Sequence, residues 1–95
     1  MSARQRVDVW LYRARLARTR ADAARLVGEG NVRLRRGEDV RRLEKPSSEV
    51  APGDALLFAQ HGRVRAVHVL GLGPRRGPAA EARALYRELD AAALA

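Results

Sequence analysis

Cysteine is absent from this chain of 95 residues, which excludes a disulfide framework, a thiolate metal site and a cysteine nucleophile. Long apolar runs are missing too. The longest, Ala55–Ala59 and Ala91–Ala95, are five residues each, far short of the roughly 18 that a membrane span requires. No apolar signal region follows Met1, so a cytoplasmic protein without a membrane partner is expected. Histidine is limited to His61 and His68, and neither has a second nitrogen or thiolate at a metal-ligand spacing. Ser47 and Ser48 lack a local base and the G-x-S-x-G setting of a nucleophile. Gly71-Leu72-Gly73 lacks the rest of a dinucleotide-binding loop, and Asp54 reads as a turn residue. The expectation is a protein that is not an enzyme and uses no metal or other cofactor.

Acidic residues are the minority: eleven Asp and Glu stand against nineteen Lys and Arg, for a net charge of +8, and Lys45 is the one lysine. Such a balance favours a polyanionic partner, most often nucleic acid and less often an anionic membrane surface. The excess is uneven. Residues 1–45 hold thirteen basic and six acidic side chains, a balance of +7, leaving +1 for the remainder. The electrostatic footprint therefore belongs to the N-terminal half. A chain of this length makes one small domain with a single core, expected as a binding module over residues 1–72 followed by a linker and C-terminal helix over 73–95 that pack on or extend it.

Apolar spacing predicts a first helix over residues 6–17, with Val7, Trp10, Leu11 and Ala14 on its buried face. A second helix is expected over 20–29, where Thr19 serves as N-cap with Asp22, three residues on, as its reciprocal partner, and Ala23, Leu26 and Val27 form the apolar stripe. Gly30 takes the chain out of that helix. Strands follow at 31–35, near 40–43, at 55–59 and at 64–70. Arg36-Gly37 turns the first of these, Ala51-Pro52-Gly53-Asp54 forms a type II turn, and Gln60-His61-Gly62-Arg63 a tight hairpin. After Gly71–Gly77, Pro78 opens a C-terminal helix lined by Ala82, Leu85, Tyr86 and Leu89. The fold class is α+β: a helical pair on a small, mostly antiparallel twisted sheet, with a C-terminal helix.

Arg18 and Arg20 flank the N-terminus of the second helix, where unsatisfied N–H groups and the helix dipole favour anions, and Arg25 points away from the apolar stripe. Guanidinium forks grip phosphate and stack on exposed bases, which suits folded RNA. Trp10 and Tyr86 could stack on bases, but their spacing favours core packing. Tyr12 lies off the apolar face and is the freer platform. Asp8 is expected to orient an arginine or a backbone amide.

Arg6-Val7-Asp8-x-Trp10-Leu11, Thr19-Arg20-x-x-Ala23-x-x-Leu26-Val27-x-x-Gly30-x-Val32, Lys45-Pro46-Ser47 and Val50-x-x-Gly53-Asp54 together resemble the RNA-binding domain first named from ribosomal small-subunit protein four. The resemblance covers residues 6 to about 58. The tail Arg75-Arg76-Gly77-Pro78-Ala79-Ala80-Glu81-Ala82-x-x-Leu85-Tyr86 is similar to the C-terminal segment of the heat-shock-protein-fifteen family. Two departures stand out: Arg36-Gly37 replaces the usual Asn-Gly turn, and the segment Glu38–Glu44 is longer than the family norm. The resemblance implies RNA held by Arg6, Arg13, Arg18, Thr19 and Arg20, with Lys45 and Ser47 reaching in from the loop and Arg25 and Arg33 as further contacts. It also implies ribosomal RNA of the large ribosomal subunit as partner, with peptidyl-tRNA on stalled ribosomes as the setting, and a heat-shock and translation quality-control role; a monomer is expected. A general RNA- or DNA-binding or ribosome-assembly factor, and the targeting module of an RNA-modifying enzyme, are the alternatives.

Overall fold

Val7, Trp10 and Leu11, spaced along one helix face, are fully buried, and helix α1 forms over Val7–Arg13 in a computed structural model that describes residues 3–94. The helix stops short of the predicted residue 17. Its end is a Schellman motif: Leu16 N–H donates to the Leu11 carbonyl (3.0 Å), Arg15 N–H donates to that of Tyr12 (3.1 Å), and Arg15 takes φ of +60°. Leu16 and Leu11, both buried, make the accompanying apolar pair. Helix α2, Arg20–Gly28, ends in the same way, with Asn31 and Gly30 donating to the Leu26 and Val27 carbonyls and Gly30 at φ +76°. Glycine occupies that left-handed position in α2 and arginine in α1. Only the first carries a stop signal that a sequence displays.

The main sheet has five strands: β2 (Val32–Arg36), β3 (Asp39–Leu43), β5 (Ala55–Gln60), β6 (Arg63–Val69) and β7 (Tyr86–Leu89). Their order is β3-β2-β5-β6-β7, and each neighbouring pair is antiparallel. A separate two-residue pairing joins β1 (Gln5–Arg6) to β4 (Glu49–Val50), too short to show as a period-2 pattern. His61 and Gly62, at φ +52° and +74°, make the two-residue hairpin between β5 and β6, as its tight-turn signature predicts. The predicted turn at Ala51–Asp54 forms as well, with Asp54 N–H on the Ala51 carbonyl at 3.1 Å and Gly53 at φ +98°.

One core joins Val7, Trp10, Leu11 and Val27 of the helices to Val32, Leu34, Leu56, Phe58, Val67 and Val69 of the sheet. Ala23 and Val27 of the α2 stripe are fully buried, while Leu26 packs at the core's margin. The buried carboxylate of Asp54 ties the far end of β2 to the turn before β5. It accepts from Arg36 Nε (2.9 Å), Arg36 Nη2 (2.8 Å) and Ala51 N–H (2.8 Å). These hydrogen bonds push the Arg36 guanidinium further above its already high ordinary pKa, against the opposing effect of burial.

The C-terminal segment departs from the long helix predicted from Pro78. Helix α3 covers Ala79–Arg83 only, Tyr86–Leu89 is a strand, and a short helix α4 spans Ala91–Leu94. The spacing of Ala82, Leu85, Tyr86 and Leu89 fits one helix face, but β6 presents a free edge, and pairing Val69 with Tyr86 through to Ala66 with Leu89 satisfies that edge. Tyr86 meets Trp10 edge to face, with ring centroids 6.5 Å apart, and Trp10 Nε1 donates to the Gly71 carbonyl at 2.8 Å. Both aromatics are thus packing residues, Trp10 on the helix face its spacing predicts and Tyr86 from a strand instead of the predicted helix. No helix among the described residues is long and apolar enough to cross a membrane.

Candidate nucleic-acid interface

Asp8 opens α1 with a carboxylate that is almost wholly buried, and its two oxygens face arginines. Arg6 grips it with both Nε (3.0 Å to Oδ1) and Nη2 (2.9 Å to Oδ2), Arg20 Nη2 lies 4.0 Å from Oδ2, and Val9 N–H donates to Oδ1 at 2.8 Å. The acid is 5 % exposed while the two arginine side chains are 50 % and 57 % exposed. The buried acid therefore fixes the Arg6 guanidinium by two hydrogen bonds and draws Arg20 toward it by charge alone, leaving both side chains half open to solvent. The expectation that Asp8 orients an arginine and a backbone amide is met on both counts.

The loop carrying Lys45 and Ser47 is held against the same helix end. Val7 N–H donates to the Ser48 carbonyl (2.7 Å) and Asp8 N–H to that of Pro46 (3.3 Å), so two of the otherwise unsatisfied N–H groups at the start of α1 fasten the loop beside Arg6. Lys45 and Ser47 are exposed there. Thr19 caps α2 as predicted, its Oγ1 accepting from Asp22 N–H at 2.9 Å. Asp22 does not complete a reciprocal box; its carboxylate lies 3.4 Å from Arg25. Arg18 and Arg25 line a groove with Arg15, His61 and Arg65, between the α1–α2 loop, α2 and the β5–β6 turn.

Two predicted contacts lie elsewhere. Arg13 turns toward the C-terminal segment: its Nη1 donates to the Gly73 carbonyl at 2.7 Å, where Gln5 Nε2 also donates at 2.8 Å. Arg33 is on the β2–β3 hairpin, away from the helical pair. Tyr12 is already stacked, since the Arg76 guanidinium lies 4.4 Å over its ring centroid while Arg76 Nη1 donates to the Tyr12 (2.9 Å) and Ala17 (3.2 Å) carbonyls. Together with Arg15 Nε on the Gly77 carbonyl (2.8 Å), this shows several arginines acting as structural ties between residues 71–77 and α1. Nothing in the local sequence separates those from arginines facing solvent. No group of three His, Asp or Glu among the described residues is arranged to hold a metal ion.

The surface that results is a set of outward guanidinium groups and a lysine on a rigid frame of helix ends and hydrogen-bonded loops. Such a donor set suits phosphate oxygens, which accept charge-assisted, bidentate hydrogen bonds.

Comparison with known proteins bears on this surface. The S4 domain family matches residues 5–56, a span that holds α1, α2 and the loop carrying Lys45 and Ser47. Heat shock protein 15 of Escherichia coli (strain K12) is 35 % identical over 83 residues, which are 87 % of this chain and 59 % of that protein. The chain thus spans about three fifths of that relative's length. Small ribosomal subunit protein uS4 of Latilactobacillus sakei subsp. sakei (strain 23K) is 44 % identical over 59 residues, 62 % of this chain and 27 % of that one. Among solved structures, the heat shock protein 15 of Vibrio cholerae, described as trimeric, superposes with a TM-score of 0.78 at 30 % identity, covering 92 % of this chain and 83 % of its own.

Proposed function

We propose, because the chain belongs to the S4 domain family and is homologous to heat shock protein 15, that it is a non-enzymatic RNA-binding protein whose ligand is ribosomal RNA. The observation that carries this reading is the Asp8 carboxylate holding Arg6 at the surface by two hydrogen bonds, with Arg20 beside it at 4.0 Å. A buried acid in a basic face weakens attraction to phosphate unless its own work is to pre-set the cations around it. A guanidinium whose orientation is set before binding loses less rotamer freedom when phosphate arrives. Arg18, Thr19 and Arg25 at α2 and Lys45 and Ser47 on the loop extend the contact. Arg13 supports it from behind through Gly73.

Within the ribosome, the large subunit is the target we favour, in a cytoplasmic response to heat or stalled translation, with peptidyl-tRNA retained on the particle and the monomer as the acting unit. Similarity to heat shock protein 15 along both the basic module and the tail, and to a ribosomal protein over the module, supports a ribosomal RNA partner over a general nucleic-acid binder. Co-sedimentation of the full chain with isolated small subunits, isolated large subunits and large subunits carrying nascent-chain tRNA tests it. Retention should be greatest on the last. Preference for the small subunit, or equal retention by any RNA of similar size, overturns the large-subunit assignment.

A further inference from the structure

Strand β3 lies at the edge of the sheet and gives the core almost nothing: Asp39, Val40, Arg41 and Arg42 are exposed and only Leu43 is buried. Its register places Arg42 directly opposite Arg33 of β2, and both side chains are exposed. Like charges facing each other across strands cost stability. Arg33, Arg41 and Arg42 form no ion pair among the described residues, and Glu44, which lines the same depression, balances only part of their charge. Arg36 on the same strand shows the contrast, being held by the buried Asp54.

These arginines are joined to the rest of the basic face. Arg33, Val40, Arg41, Arg42 and Glu44 line one depression, and the next, lined by Arg4, Lys45 and the acid Glu49 among others, shares Arg41, Arg42 and Glu44 with it. The stem of Arg42 lies against Gly30, where a Cβ atom would come within 3.3 Å of its Cδ. Arg42 therefore reaches from the hairpin to the turn between α2 and β2. The second depression ends at the loop that α1 holds in place.

We propose that the β2–β3 hairpin is a second phosphate-binding surface, on which Arg33 and Arg42 from one face and Arg41 from the other, opposite Leu34, reach around the edge strand to hold the sugar-phosphate backbone of the RNA that Arg6 and Arg20 engage at the helical pair. It rests on the RNA-binding reading above. The ligand chemistry follows from the donors: three unpaired guanidinium forks on a regular hairpin bind phosphate oxygens bidentately and add affinity without reading sequence. Glu38 and Asp39 at the hairpin tip, and Glu44 within the track, confine the backbone to the middle of the strands. Arginines on an edge strand also discourage pairing with a second chain, and the test separates that use from this one.

The experiment is a salt titration of affinity for a structured RNA hairpin, using the full chain. Arg41→Ala with Arg42→Ala should reduce the slope of log K against log salt by about 2, and Arg20→Ala by about 1. Glu44→Gln should raise affinity. If Arg20→Ala flattens the slope while the hairpin variant matches wild type, the second surface is overturned and the RNA-binding reading stands. If the wild-type chain shows no salt-dependent RNA binding, both fall. A hairpin variant that self-associates with its slope unchanged assigns these charges to edge protection and likewise overturns the proposal. Should that variant fail to fold, arginine Nε–H resonances of wild-type protein decide: Arg33, Arg41 and Arg42 should shift on RNA addition, and their remaining fixed at saturation overturns the inference.

Discussion

Asp8 is where charge and position can be told apart. Replacing it with asparagine removes a negative charge from a basic face, so attraction to phosphate by charge alone would strengthen. If its role is to hold Arg6 and attract Arg20, Asp8→Asn should instead weaken RNA binding several-fold, because Arg6 loses its two-point anchor and Arg20 its counter-charge, and both must be ordered during binding. Affinity measured at fixed ionic strength, with thermal melts to check folding, separates the outcomes. Tighter binding by the variant would show that Asp8 positions nothing. The sequence disclosed this role in outline, since an acid amid arginines needs a partner. It did not disclose which arginines are ties and which face solvent. Arg13, Arg15 and Arg76 differ from Arg18 and Arg20 in what the C-terminal segment places beside them, and that depends on contacts some sixty residues away in sequence.

Elements with their own terminators were legible. Thr19 and Gly30 bound α2, Gly53 and the His61-Gly62 pair set the turns flanking β5, and these sit where their residues predict. Elements ended by tertiary structure were not. Arg15 in the left-handed region stops α1 without a glycine, and the free edge of β6 turns Tyr86–Leu89 into a strand although their spacing suits a helix. The consequence is that residues after Leu72 are built into the fold through β7, the Gly73 carbonyl and Arg76. A chain ending at Leu72 should lose at least about 2 kcal/mol of stability, which for a domain of this size is a fall in melting temperature of roughly 10 °C. Thermal unfolding of the truncated and full chains measures this. An unchanged melting temperature would mean that β7 and its ties are dispensable.

Across the whole molecule, the concentration of +7 in residues 1–45 is divided by the fold between two regions. One is the helical pair with its loop, and the other is the β2–β3 hairpin. The first was legible because helix caps and the Lys45-Pro46-Ser47 loop mark it. Of the second only Arg33 was legible, through the family resemblance, because the facing of Arg33 and Arg42 is a matter of strand register, which a charged segment with Val40 and Leu43 as its only apolar residues leaves open. The central claim, that outward arginines at the helical pair bind RNA phosphates, is tested most directly by the salt dependence of affinity for a structured RNA in an Arg6→Ala, Arg20→Ala variant. Its log–log slope should be shallower than wild type by about 2, with Arg83→Ala on α3 leaving the slope unchanged. A slope and affinity equal to wild type in the double variant, with binding weakened by Arg83→Ala, would contradict it.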